Sequence, residues 1–232
     1  MKTCLIIPTL NEKNNVKKII NKIQRTKIKL DILFIDDDSN DGTQLEILKL
    51  KKKFKNIKYL FRKNKSGIGS AHKDGIKYAY NKKYNLIITM DCDGTHDPKY
   101  LKNLIQKSKN FDYVITSRFK KKGLIKDWPF SRKLITYLRH IFVKIFLGIN
   151  YDASGAYRCF LTNKIKLSHF IKAKNNDYAF FWEVTYIIKK KKYSIYEIPV
   201  QLVYRKLGKS KMRFKHILFS LFYLFKIALI KY

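Results

Sequence analysis

Leu86–Pro98 reads LIITMDCDGTHDP: an apolar, β-branched run that stops at two carboxylates, Asp91 and Asp93, followed by a turn of Gly, Thr, His and Pro. A short apolar run closed by turn residues predicts a strand buried on both faces. Two acids at positions i and i+2 at its end point to one side of the turn and can share a hard divalent cation, Mg²⁺ or Mn²⁺. A DxD pair alone is common, so its company decides what it means.

Apolar runs of the same kind occur at Thr3–Pro8, Ile32–Ile35, Ile57–Phe61 and Tyr113–Ser117. They alternate with helix-like segments near Glu12–Gln24, Thr43–Phe54, Ser70–Tyr80 and Pro98–Lys107. Strands alternating with helices predict βαβ units, an α/β fold with a mostly parallel sheet flanked by helices. Ligands gather at the carboxyl ends of such strands, and the chemistry-bearing residues fall there. Pro8 to Glu12 follow the first run, Asp36-Asp37-Asp38 the second, Asp91-Cys92-Asp93 the fourth and Arg118 the fifth. Beyond residue 120 the pattern changes: Leu134–Leu147 and Phe214–Ile230 are apolar, aromatic helical stretches studded with cations, while Tyr157–Leu161 and Ile195–Val203 predict further strands.

The 232 residues suffice for one sizeable core. The expected organisation is a catalytic domain over residues 1–212, with a membrane-facing helix near 131–148, and an amphipathic tail over 213–232. Fifty-one Lys and Arg against 17 Asp and Glu give a net charge of +34, which attracts any polyanion, nucleic acid or anionic bilayer alike. Richness in Lys, Asn, Ile, Tyr and Phe is also what AT-rich coding produces, and a nucleic-acid binder would leave the acid-rich strand ends without a purpose. Nucleic acid is therefore not expected as a partner. Cys4, Cys92 and Cys159 lie far apart with no metal-binding spacing, which fits a reducing compartment. MKTCLIIPTLNE lacks the long apolar stretch of a signal peptide.

Two familiar nucleotide folds fail on the residues. The turn after the first strand reads PTLNE where a dinucleotide fold needs GxGxxG, and Gly67-Ile68-Gly69 comes after the third strand with His72 at the third glycine position. Gly208-Lys209-Ser210 has Val203 where a P-loop needs its first glycine. There remains a strand-end ring in which a metal on Asp91 and Asp93 neutralises a diphosphate, Arg118 and Arg132 hold the same oxygens, and Asp37 accepts from a base or ribose. That describes a nucleotide-diphosphate site.

CLIIPTLNE, FIDDDSNDGT, GIGSAHKDGIKYA, MDCDGTHDP, SRF, DWPFSR, DASGAYRCF and EIPVQLVYRKLGKSK, in that order over residues 3–212, resemble the inverting glycosyltransferase family 2. The likeness is greatest to its dolichol-phosphate (polyprenyl-phosphate) mannose synthase branch. The resemblance implies a GT-A, Rossmann-like fold that passes a sugar from a nucleotide diphosphate-sugar to the phosphate of a membrane polyisoprenoid on the cytosolic face. Residue by residue it implies nucleotide-sugar contacts at Pro8, Asn11, Glu12, Asp37, Asp38, Gly69, Asp91, Cys92, Asp93, Arg118, Arg205 and Lys211. It further implies acceptor-phosphate contacts at Ser131, Arg132 and Ser210, with Asp91, Asp93, Arg118, Arg132 and Arg205 carrying catalysis. Arg205, Gly208, Ser210 and Lys211 match a mobile loop that closes over the site. The metal set is Asp91, Asp93 and Thr95, the last replacing the branch's usual Gln with a shorter neutral oxygen.

A polyprenyl monophosphate, whose second pKa lies near ~6, is anionic at neutral pH and attacks without a general base. Glu183 in FFWEV, a candidate base were the acceptor a hydroxyl, is then expected to be a sugar or structural contact. Mannose from GDP is the first choice of donor, with UDP-glucose or another nucleotide sugar, and a saccharide acceptor, as alternatives. The tail Phe214–Tyr232, interrupted by Lys226 and flanked by Arg213, Lys215 and Lys231, is too short and charged to span a bilayer. Leu134–Leu147 is broken by Arg139, His140 and Lys144. Both predict interfacial helices on a membrane surface, with packing on the protein's own core or on a small membrane-embedded partner subunit as the alternatives.

Overall fold

The computed structural model describes residues 1–121, 124–203 and 214–229. Nine strands and eight α-helices are described: β1 (Thr3–Thr9), α1 (Lys13–Arg25), β2 (Asp31–Asp36), α2 (Thr43–Lys53), β3 (Ile57–Phe61), α3 (Ile68–Asn81), β4 (Leu86–Thr89), α4 (Leu101–Lys107), β5 (Tyr113–Ser117), β6 (Ile125–Lys126), α5 (Phe130–Leu147), β7 (Arg158–Leu161), α6 (Leu167–Ile171), α7 (Phe180–Lys190), β8 (Ile195–Pro199), β9 (Leu202–Val203) and α8 (Phe214–Leu229). A 3-10 turn, Pro98–Tyr100, leads into α4, with the Asp97 carboxylate accepting from Lys99 N.

Seven strands form one sheet in the order β3-β2-β1-β4-β7-β5-β8. All pairings are parallel except those of β7, which runs antiparallel to both β4 and β5. Alternate residues serve opposite faces, as a period of two requires. Leu5, Ile7, Ile32, Phe34, Leu86 and Ile88 pack on α1, α2 and α4. Cys4, Ile6, Leu33, Ile35, Ile87 and Ile115 pack on α3, α6 and α7. Because both faces are covered, the strands read as unbroken apolar runs rather than alternating ones.

The sequence reading places the first five strands and four helices close to where they occur, and differs further on. The stretch Ile195–Val203 is two strands: β8 ends at Pro199, and β9 pairs with β6 in a separate parallel two-stranded sheet. Helices α6 and α7 are not anticipated from the sequence. Every residue of α7 from Phe180 to Ile188 is buried, so the helix has no polar stripe to mark it. The apolar helix begins at Phe130, four residues before its predicted start. It meets α7 and α8 in a third apolar cluster of Val143, Leu147, Trp182, Tyr186, Leu224 and Ile227.

Candidate active site

Strand register brings the predicted loops to one edge. Thr9 pairs with Asp36, Asp36 with Phe61, and Ile6 with Thr89. Met90 N then donates to Ile6 O at 3.0 Å, carrying the pairing to the first acid of DxD. A cavity of about 440 Å³ opens over this edge. One wall comes from the strand ends, with Pro8, Glu12, Asp37, Asp91, Cys92, Asp93, Thr95 and Arg118; the facing wall comes from α5, with Ser131, Arg132, Ile135, Thr136 and Arg139. The rim is closed by Asp177 and Tyr178 before α7 and by His216 and Ile217 at the start of α8.

The three consecutive aspartates differ in what they do. Asp36, fully buried, accepts from Thr9 Oγ1 (2.7 Å), Ser39 N and Oγ (2.9 and 2.7 Å) and Gln44 Nε2 (2.8 Å), and so ties the first two strand ends together. Asp37 accepts from Ser66 N (3.0 Å) and Gly67 N (3.1 Å) and pairs with Arg62 Nη1 at 3.0 Å. It therefore fixes the loop after β3 beside the cavity. Asp38 is exposed at φ +63° and lies outside the lining.

Asn11 is also outside the lining and stitches loops. At φ +53° it donates its amide to Ser39 Oγ (2.8 Å) and accepts from Asn40 N (3.0 Å). Glu12 is buried, accepting from Asn15 Nδ2 at 2.5 Å while its amide donates to Thr43 Oγ1. Gly69, expected among the nucleotide-sugar contacts, does not line the cavity. A Cβ there would lie 2.6 Å from Phe180 Cβ and 2.8 Å from the Asn176 carbonyl carbon, so this glycine serves the close approach of α3 to the segment before α7. Gly67, at φ +93°, lines the cavity.

Around DxD, Asp91 N donates to His96 Nδ1 at 3.0 Å. His96 is buried, and burial pushes its pKa down to about 4, so the ring is neutral with its proton on Nε2. Thr95, expected as a third metal oxygen, donates its hydroxyl to Asp93 Oδ1 at 2.7 Å and its amide to the same oxygen at 3.0 Å. It orients the second acid rather than standing apart from it. Among the described residues no group of three His, Cys, Asp or Glu side chains could hold a metal ion. Two partly exposed acids facing a cavity nonetheless suit Mg²⁺ or Mn²⁺, which bind through one or two carboxylates and take the rest of their shell from substrate phosphates and water.

Arg118 shows a partner the sequence reading did not assign. Its Nε and Nη2 close on the two oxygens of Asp152 at 2.7 and 2.9 Å, and its amide donates to Asp152 as well. Nη2 also donates to Ser154 Oγ at 2.7 Å. Burial alone would raise the Asp152 carboxyl, but Arg118 overrides it and holds the acid below the ordinary range. Arg132 stacks on Trp128, its guanidinium 5.0 Å from the ring centre. Arg205, Ser210 and Lys211 lie outside the described residues. Glu183 is fully buried and accepts from Lys174 N, Asn175 N and Tyr223 Oη at 2.8, 3.0 and 2.9 Å. Of the two roles open to it, the structural one matches these contacts.

The sequence profile of Glycosyl transferase family 2 matches residues 4–167. The chain belongs to this family. The family 2 chain is 30% identical over 213 residues to an undecaprenyl-phosphate mannosyltransferase of Micrococcus luteus, covering 91% of this chain and 88% of that protein. It is 27% identical to a polyprenol monophosphomannose synthase of Mycolicibacterium smegmatis, covering 91% and 81% of the two chains. Among solved structures, glucosyl-3-phosphoglycerate synthase from Mycobacterium tuberculosis, determined with Mn²⁺, uridine diphosphate and phosphoglyceric acid, superposes with a TM-score of 0.66 at 12% identity, over 100% of this chain and 80% of that one. The fold is that of the GT-A glycosyltransferases, and the family 2 enzyme is a glycosyltransferase.

Residues that sequence reasoning did not single out also build the candidate site. Asp152, His96 and Arg158 lay inside quoted motifs without individual roles. Arg158 is buried and reaches Tyr113 Oη (2.6 Å), Gly155 O (2.7 Å) and Ala153 O (2.5 Å), which holds the Ser154–Gly155 turn against the cavity. Arg139 carried a usable signal: it stands seven residues after Arg132, two helical turns along the same face.

Proposed function

We propose that the enzyme transfers a hexose, mannose from GDP-mannose in the first place, with inversion, to dolichyl or another polyprenyl phosphate at the cytosolic face of a membrane. The observation that carries this reading is the cavity's lining: Asp91 and Asp93 at the strand ends share one cavity with Arg132 and Arg139 of α5. An ion on the acids together with these cations suits two phosphate-bearing substrates meeting in one cavity. The mannosyltransferase and mannose synthase names of the two relatives favour this donor sugar and acceptor class over a saccharide acceptor.

Asp91 and Asp93 would hold Mg²⁺ or Mn²⁺, which supplies charge neutralisation for the departing diphosphate. The chain's own residues do the positioning. Thr95 and His96 fix the two acids through hydrogen bonds to Asp93 and to the Asp91 amide. Arg132, on the opposite wall, holds the acceptor phosphate in line with the anomeric carbon, so that two like-charged partners are brought together by the enzyme rather than by chance collision. The phosphate oxygen is already a nucleophile, and the reading needs no general base.

The outward faces of α5 and α8 support peripheral membrane attachment. Phe130, Ile145, Phe219, Phe222 and Leu229 are among their exposed apolar side chains, and no helix among the described residues is long and apolar enough to cross a membrane. A small membrane-embedded partner subunit could cover the same faces. The deciding experiment is a panel of GDP- and UDP-sugars with a short polyprenyl phosphate, with Mg²⁺ and Mn²⁺ compared. Mannosyl transfer from GDP-mannose is expected; glucosyl transfer from UDP-glucose, or transfer only to a saccharide, would replace the proposed reading.

A further inference from the structure

Arg139 is in an unusual position for a cation. It sits on the α5 wall of the cavity, half-buried, and its Nε is shielded from solvent without a hydrogen-bond partner. Among the described residues, the charged groups that act on it are Arg118, Asp152 and Arg132, and Asp152 is already closed on both oxygens by Arg118. Burial first, and those two arginines next, push its pKa down to about 10, which still leaves it charged at neutral pH. A partly shielded cation beside two other arginines is costly unless an anion arrives. Its neighbours along the helix face, Arg132, Ile135 and Thr136, line the same cavity, so the wall offers two guanidinium forks with a hydroxyl between them.

We infer that Arg139 reads the second negative charge of the acceptor phosphate, so that the enzyme holds its acceptor in preference to its product; this rests on the polyprenyl-phosphate reading above. The chemistry creates the difference. An acceptor phosphate oxygen bonds to the anomeric carbon, the bond from that carbon to the donor's β-phosphate oxygen breaks, and its electron pair leaves with the nucleoside diphosphate. No proton moves. The acceptor enters as a monoester dianion and emerges as a diester monoanion, while the nucleoside diphosphate gains the charge. A site with one arginine suffices for the diester, and the second has a full partner only before transfer.

The test is equilibrium binding to the full chain of farnesyl phosphate, a monoester, and of methyl farnesyl phosphate, a diester, at pH 8 by calorimetry, alongside transfer to farnesyl phosphate. Wild type should prefer the monoester by about tenfold or more, the range of a charge-assisted hydrogen bond. Arg139→Gln should lose that preference by weakening the monoester alone, and Arg139→Lys, a point charge without the fork, should fall between. Arg139→Gln should melt no lower than wild type, since a shielded cation has been removed. Equal weakening of both ligands, or an unchanged preference in Arg139→Gln, would overturn the inference while leaving the acceptor reading intact. Wild type that neither binds farnesyl phosphate nor glycosylates it would overturn both.

Discussion

Arg118 and Asp152 form a buried, two-pronged pair, with Nε to Oδ2 at 2.7 Å and Nη2 to Oδ1 at 2.9 Å, at the point where β5 delivers the chain to the cavity. Removing one member strands the other's charge away from water, which typically costs about 3–5 kcal/mol, whereas replacing both with apolar groups costs much less. Arg118→Met and Asp152→Asn should therefore each lower stability clearly in urea unfolding. Arg118→Lys, which keeps the charge but not the fork, should lower it less, and Arg118→Met combined with Asp152→Leu should recover part of the loss without recovering transfer. A lysine variant as stable and active as wild type would reduce the pair to ordinary surface chemistry.

The acids of the MDCDGTHDP turn are expected to act through a divalent ion. Chelation by EDTA should abolish transfer, as should Asp91→Ala or Asp93→Asn with the fold intact, because the leaving diphosphate loses its charge compensation. Thr95 touches Asp93 rather than the cavity alone, so Thr95→Val should weaken apparent Mg²⁺ or Mn²⁺ affinity by about tenfold, as loss of a supporting hydrogen bond to a ligand does, with rate restored by excess metal. Thr95→Gln should be tolerated or should tighten the metal. Undiminished activity in chelator would end the metal assignment.

Much of this site was legible because parallel strands buried on both faces announce themselves as apolar runs, and the residues just beyond each run build the site. Pro8, Glu12, Asp37, Asp91, Cys92, Asp93, Thr95, Arg118, Ser131 and Arg132 all line the cavity. Partnership escaped. Nothing in DASGAYRCF says that its aspartate will close on an arginine from another strand 34 residues earlier, since such a contact is set by the antiparallel insertion of β7 between β4 and β5. Helix α7 escaped for the opposite reason, because a segment buried all round has no face to display. Gly69 packs α3 against the segment before α7, and in sequence a glycine needed for close packing looks the same as one that makes room for a ligand.

Acid should loosen the protein well above the carboxylate range. His72 is buried against Phe180 and Phe181, its Nε2 unpartnered, and burial, then Arg158 and His96, push its pKa down to about 3. The unfolded chain takes up a proton near the ordinary histidine value of about 6.5 and the folded chain does not. Stability is thus full above that value and declines as pH falls from it toward the folded value. His72→Phe, which keeps a ring in the apolar site, should lessen the decline between pH 6.5 and 5 by up to about 1.4 kcal/mol per pH unit. Urea unfolding at the two pH values measures this, and identical slopes in variant and wild type would assign the pH dependence to other groups.

Membrane attachment can be tested without dismantling the fold, because α8 has two distinct faces. Leu224 and Ile227 are buried with Val143, Leu147 and Trp182, and Tyr223 donates to Glu183, so deleting the helix would open the third apolar cluster as well as remove an anchor. Its outer face carries Phe219 and Phe222, each 70% exposed, next to an α5 that exposes Phe130 at 80% and Ile145 at 67%. Exposed apolar faces of this kind mark an interaction surface, and the proposed occupant is an anionic bilayer, which the chain's net charge of +34 would favour. Phe219→Ser with Phe222→Ser should leave thermal stability near wild type while weakening flotation with anionic vesicles. If each phenyl ring contributes even the lower end of roughly 1.5–3 kcal/mol for full burial, the pair is worth about a hundredfold in partitioning. High salt should release the electrostatic share of binding but not the aromatic share. A double variant that floats as well as wild type would show that these rings do not enter the bilayer, and wild type that floats only with a membrane-embedded protein present would assign the face to a partner subunit.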